Sequence, residues 1–241
     1  MAESNVIFGI RAVIEALKSD QFIEKVLVKN GLQGELFNEL KKTLKDYNVP
    51  FQMVPVERIQ RVTTKNHQGV VALVSPVSYQ DVETVVLKKI EEGERPVVLI
   101  LDGVTDVRNF GAIARTAECA GVSAIVIPEK GSAPVNGDAI KTSAGALFRI
   151  PVCRVSRLWY TMKFLKNHNF TIVAASEKAG VDYRKVDYAG PIALVMGAED
   201  TGISSQVMKM VDQQVAIPVK SEIGSLNVSV AAGILIYEII K

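Results

Sequence analysis

Cysteine is scarce in this chain. Cys119 and Cys153 are the only two cysteines in 241 residues, and neither lies in a C-x-x-C pair or near a cluster of histidines. This scarcity excludes a disulfide-stabilised scaffold and a structural zinc site of the usual spacing. Because cysteines, histidines and carboxylates nowhere show the spacing of metal ligands, we predict no metal site. Both cysteines are expected to be small, buried apolar side chains.

Long hydrophobic runs are also missing. No apolar stretch reaches the roughly 18 to 20 residues that a membrane-spanning helix needs. The first residues, MAESNVIFG, lack the basic and then apolar layout of a secretory signal. We therefore predict a cytoplasmic protein with no membrane partner.

Charge of one sign is not in large excess, because the formal net charge is +2. The strongly basic balance typical of many nucleic-acid-binding proteins is therefore absent from the chain as a whole. Acidic residues are nevertheless missing from residues 139–176, which we call the basic segment. This segment could form a stripe facing phosphates or a solvated helix face beside a strand, and the sequence leaves both open. Its basic residues are Lys141, Arg149, Arg154, Arg157, Lys163 and Lys166.

The chain does contain 48% apolar and 22% charged residues, which is typical of a globular protein. Its length favours two domains. Residues 1–75 alternate short β-rich runs with helical periodicity, which predicts a small α/β domain. Residues 76–95 indicate a linker with a bridging helix. Within the first domain, the predicted strands are 25–28, 51–54 and 70–74, and apolar spacing predicts helices over 10–17 and 36–44.

Beyond Pro96 the strands change character. The runs VVLILD, AIVIP, TIVAAS, IALVMG and QVAIP are continuously apolar, which predicts a parallel sheet covered on both faces. Ligands of such sheets bind beyond the carboxyl ends of the strands, where Asp102, Ala175, Gly197 and Ile217 fall. A G-x-G-x-x-G turn between strand and helix is missing, which argues against a dinucleotide-dependent oxidoreductase.

Three segments of this second half run from an apolar strand into glycine and small polar residues. The first, NFGAIARTAECAG, contains Asn109, Gly111 and Arg115, and we expect Asn109 to cap a helix that starts there. The second, LVMGAEDTGIS, places Glu199 two residues after Gly197. The third, IPVKSEIGSLNVSVAAG, leads into an apolar C-terminal helix and contains Ser225, Leu226 and Asn227. Asn227 lies too far into the predicted helix for capping alone, so we expect it to bond outside the helix.

These segments resemble the three signature motifs of the SpoU (TrmH) family of SPOUT RNA 2′-O-ribose methyltransferases, in order and spacing. FGIRAVIEALKS and NHQGVVALVSP resemble the start and end of the ribosomal-protein-like substrate-binding domain of that family. The likeness is greatest to the branch that methylates a guanosine of 23S rRNA. It implies an α/β fold in three parts: an RNA substrate-binding domain over 1–75, a linker and bridging helix over 76–95, and a parallel-sheet catalytic domain with a C-terminal deep trefoil knot over 96–241.

The resemblance also implies a cofactor, partners and site residues. S-adenosylmethionine would be held by backbone groups at Gly197, Ile217, Leu226 and Ala175. The chain would act on structured RNA, most directly rRNA, as a homodimer whose interface includes the knot and the apolar final helix. The implied catalytic residues are Asn109 and Arg115, which would position the ribose and its phosphate, Glu199, which would hold Arg115 or its own loop, and Ser225 and Asn227, which would organise the nucleophile.

The chain departs from the family pattern in the third motif. Val219 and Ser221 stand where the family usually has methionine and glycine, so the cofactor loop is expected to be stiffer or altered. His67 and His168 receive no role, and His67 is expected to be structural. A tRNA 2′-O-methyltransferase shares the same motifs, and a non-catalytic RNA-binding protein of the same fold is a further alternative.

Overall fold

The computed structural model describes residues 6–19, 21–220 and 224–241. The chain divides into two compact units, one formed by residues up to Ser78 with 134–137, and the other by 79–133 with 138–241. None of the helices in the described ranges is long and apolar enough to cross a membrane.

The first unit is a four-stranded sheet with helices on both faces. Its strands, in spatial order β1-β4-β2-β3, are antiparallel except for the parallel pair β2–β3. The i, i+3, i+4 pattern of the first helix places Val13, Ile14 and Leu17 against the sheet, which confirms that helix. The elements are β1 (Val6–Phe8), α1 (Ile10–Lys18), β2 (Ile23–Lys29), α2 (Glu35–Asp46), β3 (Phe51–Val54), α3 (Val56–Gln60) and β4 (Val70–Val74).

The second unit is a six-stranded sheet in which every pairing is parallel, with strand order β10-β8-β9-β5-β6-β7. This confirms the predicted parallel sheet. Its strands are β5 (Val97–Asp102), β6 (Ala124–Pro128), β7 (Val152–Val155), β8 (Thr171–Ala175), β9 (Ile192–Gly197) and β10 (Gln213–Val215). Its helices are α4 (Val82–Glu91), α5 (Val107–Cys119), α6 (Gly137–Thr142), α7 (Leu158–Asn167), α8 (Ser205–Met208) and α9 (Val228–Ile239), with 3₁₀ turns at Ala146–Phe148 and Tyr183–Lys185.

Helix α4 lies within the stretch that the sequence suggested as a linker with a bridging helix. Its Val82 and Val86 are buried in the core of the second unit, beside Val98 and Ala124 of the central strands. The helix is therefore an integral layer of that unit, because its apolar side chains are removed from water by the sheet it covers.

The two cysteines differ in environment. Cys153 lies fully buried on β7, and burial raises the pKa of its thiol to about 12. Cys119, at the end of α5, is exposed, so the prediction that both are buried is wrong for Cys119. The helix ends there, and its last residue faces solvent rather than the sheet.

Candidate active site

The carboxyl edge of the parallel sheet collects the predicted strand-end residues. Asp102 ends β5 and lies opposite Gly197, which ends β9. Ala175 ends β8 and pairs with Val215 of β10, two residues before Ile217. The strands that were predicted from continuous apolar runs therefore bring residues from four distant parts of the chain to one edge of the sheet.

A pocket opens at this edge, with an empty volume of about 660 Å³ including its open mouth. We call it the edge pocket. Its apolar wall includes Met196, Val215, Val228 and Leu235. Six of the residues singled out in the sequence line it: Ala175, Gly197, Ile217 and Leu226 from the expected cofactor site, and Glu199 and Ser225 from the expected catalytic set.

Charge in the edge pocket is of one sign among the residues described. Glu177 and Glu199 contribute carboxylates, and no lysine or arginine is among the described lining residues. An apolar pocket with carboxylates favours a ligand that combines an apolar body with positive charge. Sequence reasoning did not single out Glu177, although its position two residues after the end of β8 follows the same strand-end rule.

Gly197 sits under a tight turn. The Ala198 amide donates to the Gly202 carbonyl at 3.1 Å, and the Gly202 amide donates back to the Ala198 carbonyl at 2.9 Å. A Cβ at position 197 would lie 2.4 Å from the Gly202 carbonyl carbon and 2.5 Å from the Ile203 nitrogen. Only glycine lets this backbone turn close against the strand end.

A hydrogen-bond network joins the three motif segments. Oε1 of Glu199 accepts from Nδ2 of Asn227 at 2.7 Å and from Nδ2 of Asn109 at 3.1 Å, and Nδ2 of Asn227 also donates to Oδ1 of Asn109 at 3.0 Å. The backbone amide of Val228 approaches the same Glu199 oxygen at 3.3 Å. We call Asn109, Glu199 and Asn227 the motif network, because each comes from a different motif.

The start of α5 differs from the expectation. The helix begins at Val107, and Oδ1 of Asp106 caps it by accepting from the Asn109 amide at 2.8 Å. The prediction that Asn109 is the cap is therefore wrong. Because a preceding carboxylate satisfies the first orphan amides, the Asn109 side chain is available for the motif network.

Asn227, at the start of α9, has two roles. Asn227 is the N-cap, and its Oδ1 accepts from the Ser229 amide at 3.0 Å. Asn227 was expected to lie too far into the helix for capping alone. The expected position inside the helix is wrong, because the helix begins at Val228, but the expected bond outside the helix is present. The amide side chain does both, since its oxygen caps the helix while its nitrogen donates to the network.

Arg115 stands apart from this arrangement. It is exposed on α5, it does not line the edge pocket, and among the described residues it has no hydrogen-bond or ion-pair partner. Glu199 binds its partners in the motif network and not Arg115. Of the five expected catalytic residues, the structure thus groups Asn109, Glu199, Ser225 and Asn227 and leaves Arg115 facing solvent.

The sequence left the effects of Val219 and Ser221 and the roles of His67 and His168 open. Val219 lines the edge pocket, while Ser221 lies outside the described residues. Nδ1 of His67 accepts from the Gly69 amide at 3.0 Å, and Nδ1 of His168 lies 2.9 Å from the Phe164 carbonyl oxygen. Both histidines thus hold local backbone. Among the described residues, no group of three or more His, Cys, Asp or Glu side chains is placed to hold a metal ion.

Three of the six basic residues of the basic segment have partners within the chain. Lys166 pairs with Asp212 at 2.6 Å, Arg149 lies 3.7 Å from Glu118, and Nη2 of Arg154 donates to the Glu129 carbonyl at 3.0 Å. The remaining members, Lys141, Arg157 and Lys163, are exposed. Half of the segment therefore serves local structure.

Both units match known protein families. Residues 96–237 match the SpoU rRNA methylase family, and residues 6–80 match the family described as RNA 2′-O ribose methyltransferase substrate binding. The chain belongs to the SpoU methylase family. It is thus an RNA methyltransferase, and the match spans the sheet, the edge pocket and the motif network.

Individual relatives agree with this membership. A Staphylococcus saprophyticus protein assigned to the TrmH family of tRNA/rRNA methyltransferases is 35% identical over 239 residues, covering 99% of this chain and 96% of the relative. The rRNA methyltransferase of Sinorhizobium meliloti, solved with bound AdoMet, is 26% identical with a TM-score of 0.59 and covers 98% of this chain and 86% of that one. The SpoU methyltransferase AviRb of Streptomyces viridochromogenes, also solved with AdoMet, shares the fold at a TM-score of 0.61 and 21% identity, covering 98% and 88%.

Proposed function

We propose that this SpoU family member transfers a methyl group from S-adenosylmethionine to a ribose 2′-hydroxyl of structured RNA. The observation that carries the proposal is the convergence of all three motif segments at the edge pocket, through the motif network and the shared lining. A relative solved with AdoMet and a matching substrate-binding family for the first unit support it.

The edge pocket suits S-adenosylmethionine in charge and in the apolar character of its wall. Gly197, Ile217, Leu226 and Ala175 would hold the cofactor mainly through backbone and apolar contact, and the Glu199 carboxylate offsets its positive charge. When bound, the cofactor supplies an electrophilic methyl group on a cationic sulfur.

The chain's own residues act on the RNA. Asn109 and Asn227 position the ribose beside Glu199 of the pocket lining, and Glu199 keeps both amides in place. Arg115 clamps a phosphate, because a guanidinium without a protein partner offers two parallel donors to phosphate oxygens. It stays protonated, so the hydroxyl proton passes to water or to a phosphate oxygen rather than to Arg115.

A knotted C-terminal segment and a homodimer belong to the same proposal. The segment after β10 is hydrogen-bonded to the loop after β8, where Ala216 donates to the Val181 carbonyl at 2.8 Å and accepts from the Tyr183 amide at 3.1 Å. This contact is compatible with threading through that loop. On α9, Val230 and Tyr237 are 51% and 53% exposed at a spacing of two turns, which suits an apolar interface with a second copy.

The first unit docks the RNA in this proposal. One end of its sheet carries exposed basic residues where β2 finishes and β4 begins, and no acidic residue occurs from Arg58 to Gln80. Such a surface attracts phosphates irrespective of sequence. The basic residues are Arg11, Lys29, Arg61 and Lys65.

The RNA target is a guanosine of 23S rRNA, with a tRNA ribose as the alternative, and a cytoplasmic location accords with either. The test incubates the full chain, S-adenosylmethionine and prefolded RNA from a deletion strain, and maps new 2′-O-methyl groups in rRNA and tRNA separately. We expect one methylated guanosine in 23S rRNA. Methylation of tRNA instead of rRNA would show that the target is a tRNA ribose. Binding of RNA without methylation of rRNA or tRNA would refute the enzymatic proposal.

Arg115→Ala tests the proposed contact between Arg115 and an RNA phosphate. We expect cofactor affinity, measured by calorimetry, to stay within a few-fold, while single-turnover methyl transfer falls by on the order of a hundredfold. Arg115→Lys should rescue little, because a point charge cannot reproduce a planar fork. A variant that loses cofactor affinity in proportion to its rate would place Arg115 in the cofactor site instead.

A further inference from the structure

A second pocket opens on the other half of the same sheet edge, with an empty volume of about 610 Å³ including its mouth. We call it the second pocket. It lies beyond the carboxyl ends of β5, β6 and β7, whereas the edge pocket lies beyond β8, β9 and β10. Its lining includes Asp102, Arg157, Trp159 and Ser204.

The two pockets share a wall. The tight turn from Ala198 to Gly202 contributes Gly202 to the edge pocket, and the chain reaches the second pocket two residues later at Ser204. The Ser204 amide donates to Oδ2 of Asp102 at 2.7 Å, which ties the turn to the end of β5. A ligand in the second pocket would thus lie beside the cofactor site, across one turn of backbone.

The lining of the second pocket has the chemistry of a nucleotide site. Trp159 is the aromatic residue of the lining and is half-buried, and one face of its ring stacks on Tyr160, which lies outside the lining, with ring centroids 3.9 Å apart. Among the described residues, the exposed guanidinium of Arg157 has no hydrogen-bond or ion-pair partner, and Oδ1 of Asp102 has none either. An aromatic wall, a cation and a carboxylate oxygen match the base face, the phosphate and the base N–H groups of a nucleotide.

We propose that the second pocket binds one nucleotide of the RNA substrate, with its base against Trp159, its phosphate on Arg157 and its base N–H donors on Asp102. The assignment rests on the proposed function. Guanine fits best, because its Watson–Crick edge presents two adjacent N–H groups to one carboxylate. The pocket then selects the nucleotide, while the edge pocket holds the methyl donor.

Trp159 allows a direct test, because it is the only tryptophan in the chain. Its indole N–H gives a single cross-peak in the ¹H–¹⁵N spectrum of the full-length protein. We expect titration with GMP to shift this peak saturably, with and without S-adenosylmethionine, and with an affinity several-fold higher than that for AMP. A peak that does not move at millimolar GMP would overturn the proposal.

Two variants test the phosphate contact of Arg157 and the base contact of Asp102 separately. Arg157→Gln should weaken GMP binding about fivefold and leave guanosine binding unchanged, because the nucleoside has no phosphate. Lys163→Gln is the control, since Lys163 is exposed on the same helix and does not line the pocket. Asp102→Asn should remove the preference for GMP over AMP. Equal effects of Arg157→Gln and Lys163→Gln on GMP would show that only general charge matters and would contradict the assigned phosphate contact.

Measurement of methyl transfer distinguishes the proposed nucleotide site in the second pocket from the proposed methyltransferase function on which it rests. Trp159→Leu should raise the KM for RNA about tenfold and leave cofactor affinity unchanged, with the melting temperature as a check on folding. If the wild type methylates RNA and folded Trp159→Leu has an unchanged KM, the second pocket is not a nucleotide site while the methyltransferase function stands. If the wild type transfers no methyl group to any RNA, the proposed function fails, and the GMP titration still reports on the pocket.

Discussion

Among single residues, Gly197 decides how closely the backbone turn can approach the edge pocket. A side chain there would meet main-chain atoms of Gly202 and Ile203, which cannot rotate away as a flexible side chain could. The same residue lines the edge pocket and ends β9. One missing Cβ therefore sets both the turn and the shape of the pocket.

We predict that Gly197→Ala lowers the free energy of unfolding by about 1–3 kcal/mol, the usual range for overpacking. It should also reduce cofactor affinity more than tenfold, because the displaced turn forms the pocket wall. Urea unfolding and calorimetry measure the two effects. Gly190→Ala is the matched control, since no atom lies within 4 Å of a Cβ built there. Similar behaviour of the two variants would contradict the role assigned to Gly197.

At the scale of the element, the first turn of α9 is held by a carboxylate from another strand connection. Glu199 accepts from the Asn227 side chain and from the Val228 amide, so the helix start is fixed to the loop after β9. Helix starts need such partners because their first amides have none within the helix. The position of Ser225 and Leu226 in the edge pocket depends on where this helix begins.

Glu199→Ala should therefore loosen the start of α9. We expect a loss of about 1 kcal/mol in unfolding free energy, the scale of a lost helix cap, and faster hydrogen exchange of the Val228 amide. Asp200→Ala provides the comparison, because Asp200 is an adjacent exposed carboxylate whose observed bond is to the Thr201 amide. Equal exchange rates at Val228 in the two variants would rule out the anchoring role.

At the scale of the whole molecule, the boundary between the units determines which fragment can act alone. The second unit begins at Tyr79, and α4 contributes Val82 and Val86 to its core. A cut at Glu94, within the stretch after α4, would remove both side chains. Each fully buried valine contributes about 1.5–3 kcal/mol, which is a large share of a stability of roughly 5–15 kcal/mol.

We predict that a fragment of residues 79–241 folds and binds S-adenosylmethionine like the full chain but methylates RNA poorly, because it lacks the proposed docking unit. A fragment of residues 94–241 should be less stable by about 3–6 kcal/mol, from two lost valines at the area-based value. Denaturant unfolding and single-turnover transfer test both. Transfer at the full-length rate by 79–241 would show that the first unit does not dock the RNA.

Much of the fold was predictable from pattern. The runs 51–54, 70–74, 97–102, 124–128 and 192–197 are strands with the predicted bounds, because continuous or β-branched apolar runs bounded by turns have few other ways to bury themselves. The elements that were not predicted include β1, α3, α6 and α8, which are short, and β7, which contains Arg154 and so breaks the apolar pattern.

Amino-acid order alone indicated the parallel sheet and its strand ends, because apolar continuity is a local property of the chain. The four residues expected to hold the cofactor came from the resemblance to the family. Folding in three dimensions brings the side chains of Asn109 and Asn227, 118 residues apart, into a hydrogen bond and leaves Arg115 outside the edge pocket, and neither result follows from local sequence. The positions of the helix caps also depend on the tertiary structure. A cap depends on where a helix begins, and the start of α9 is bonded to Glu199, which lies 29 residues from Val228 in the chain.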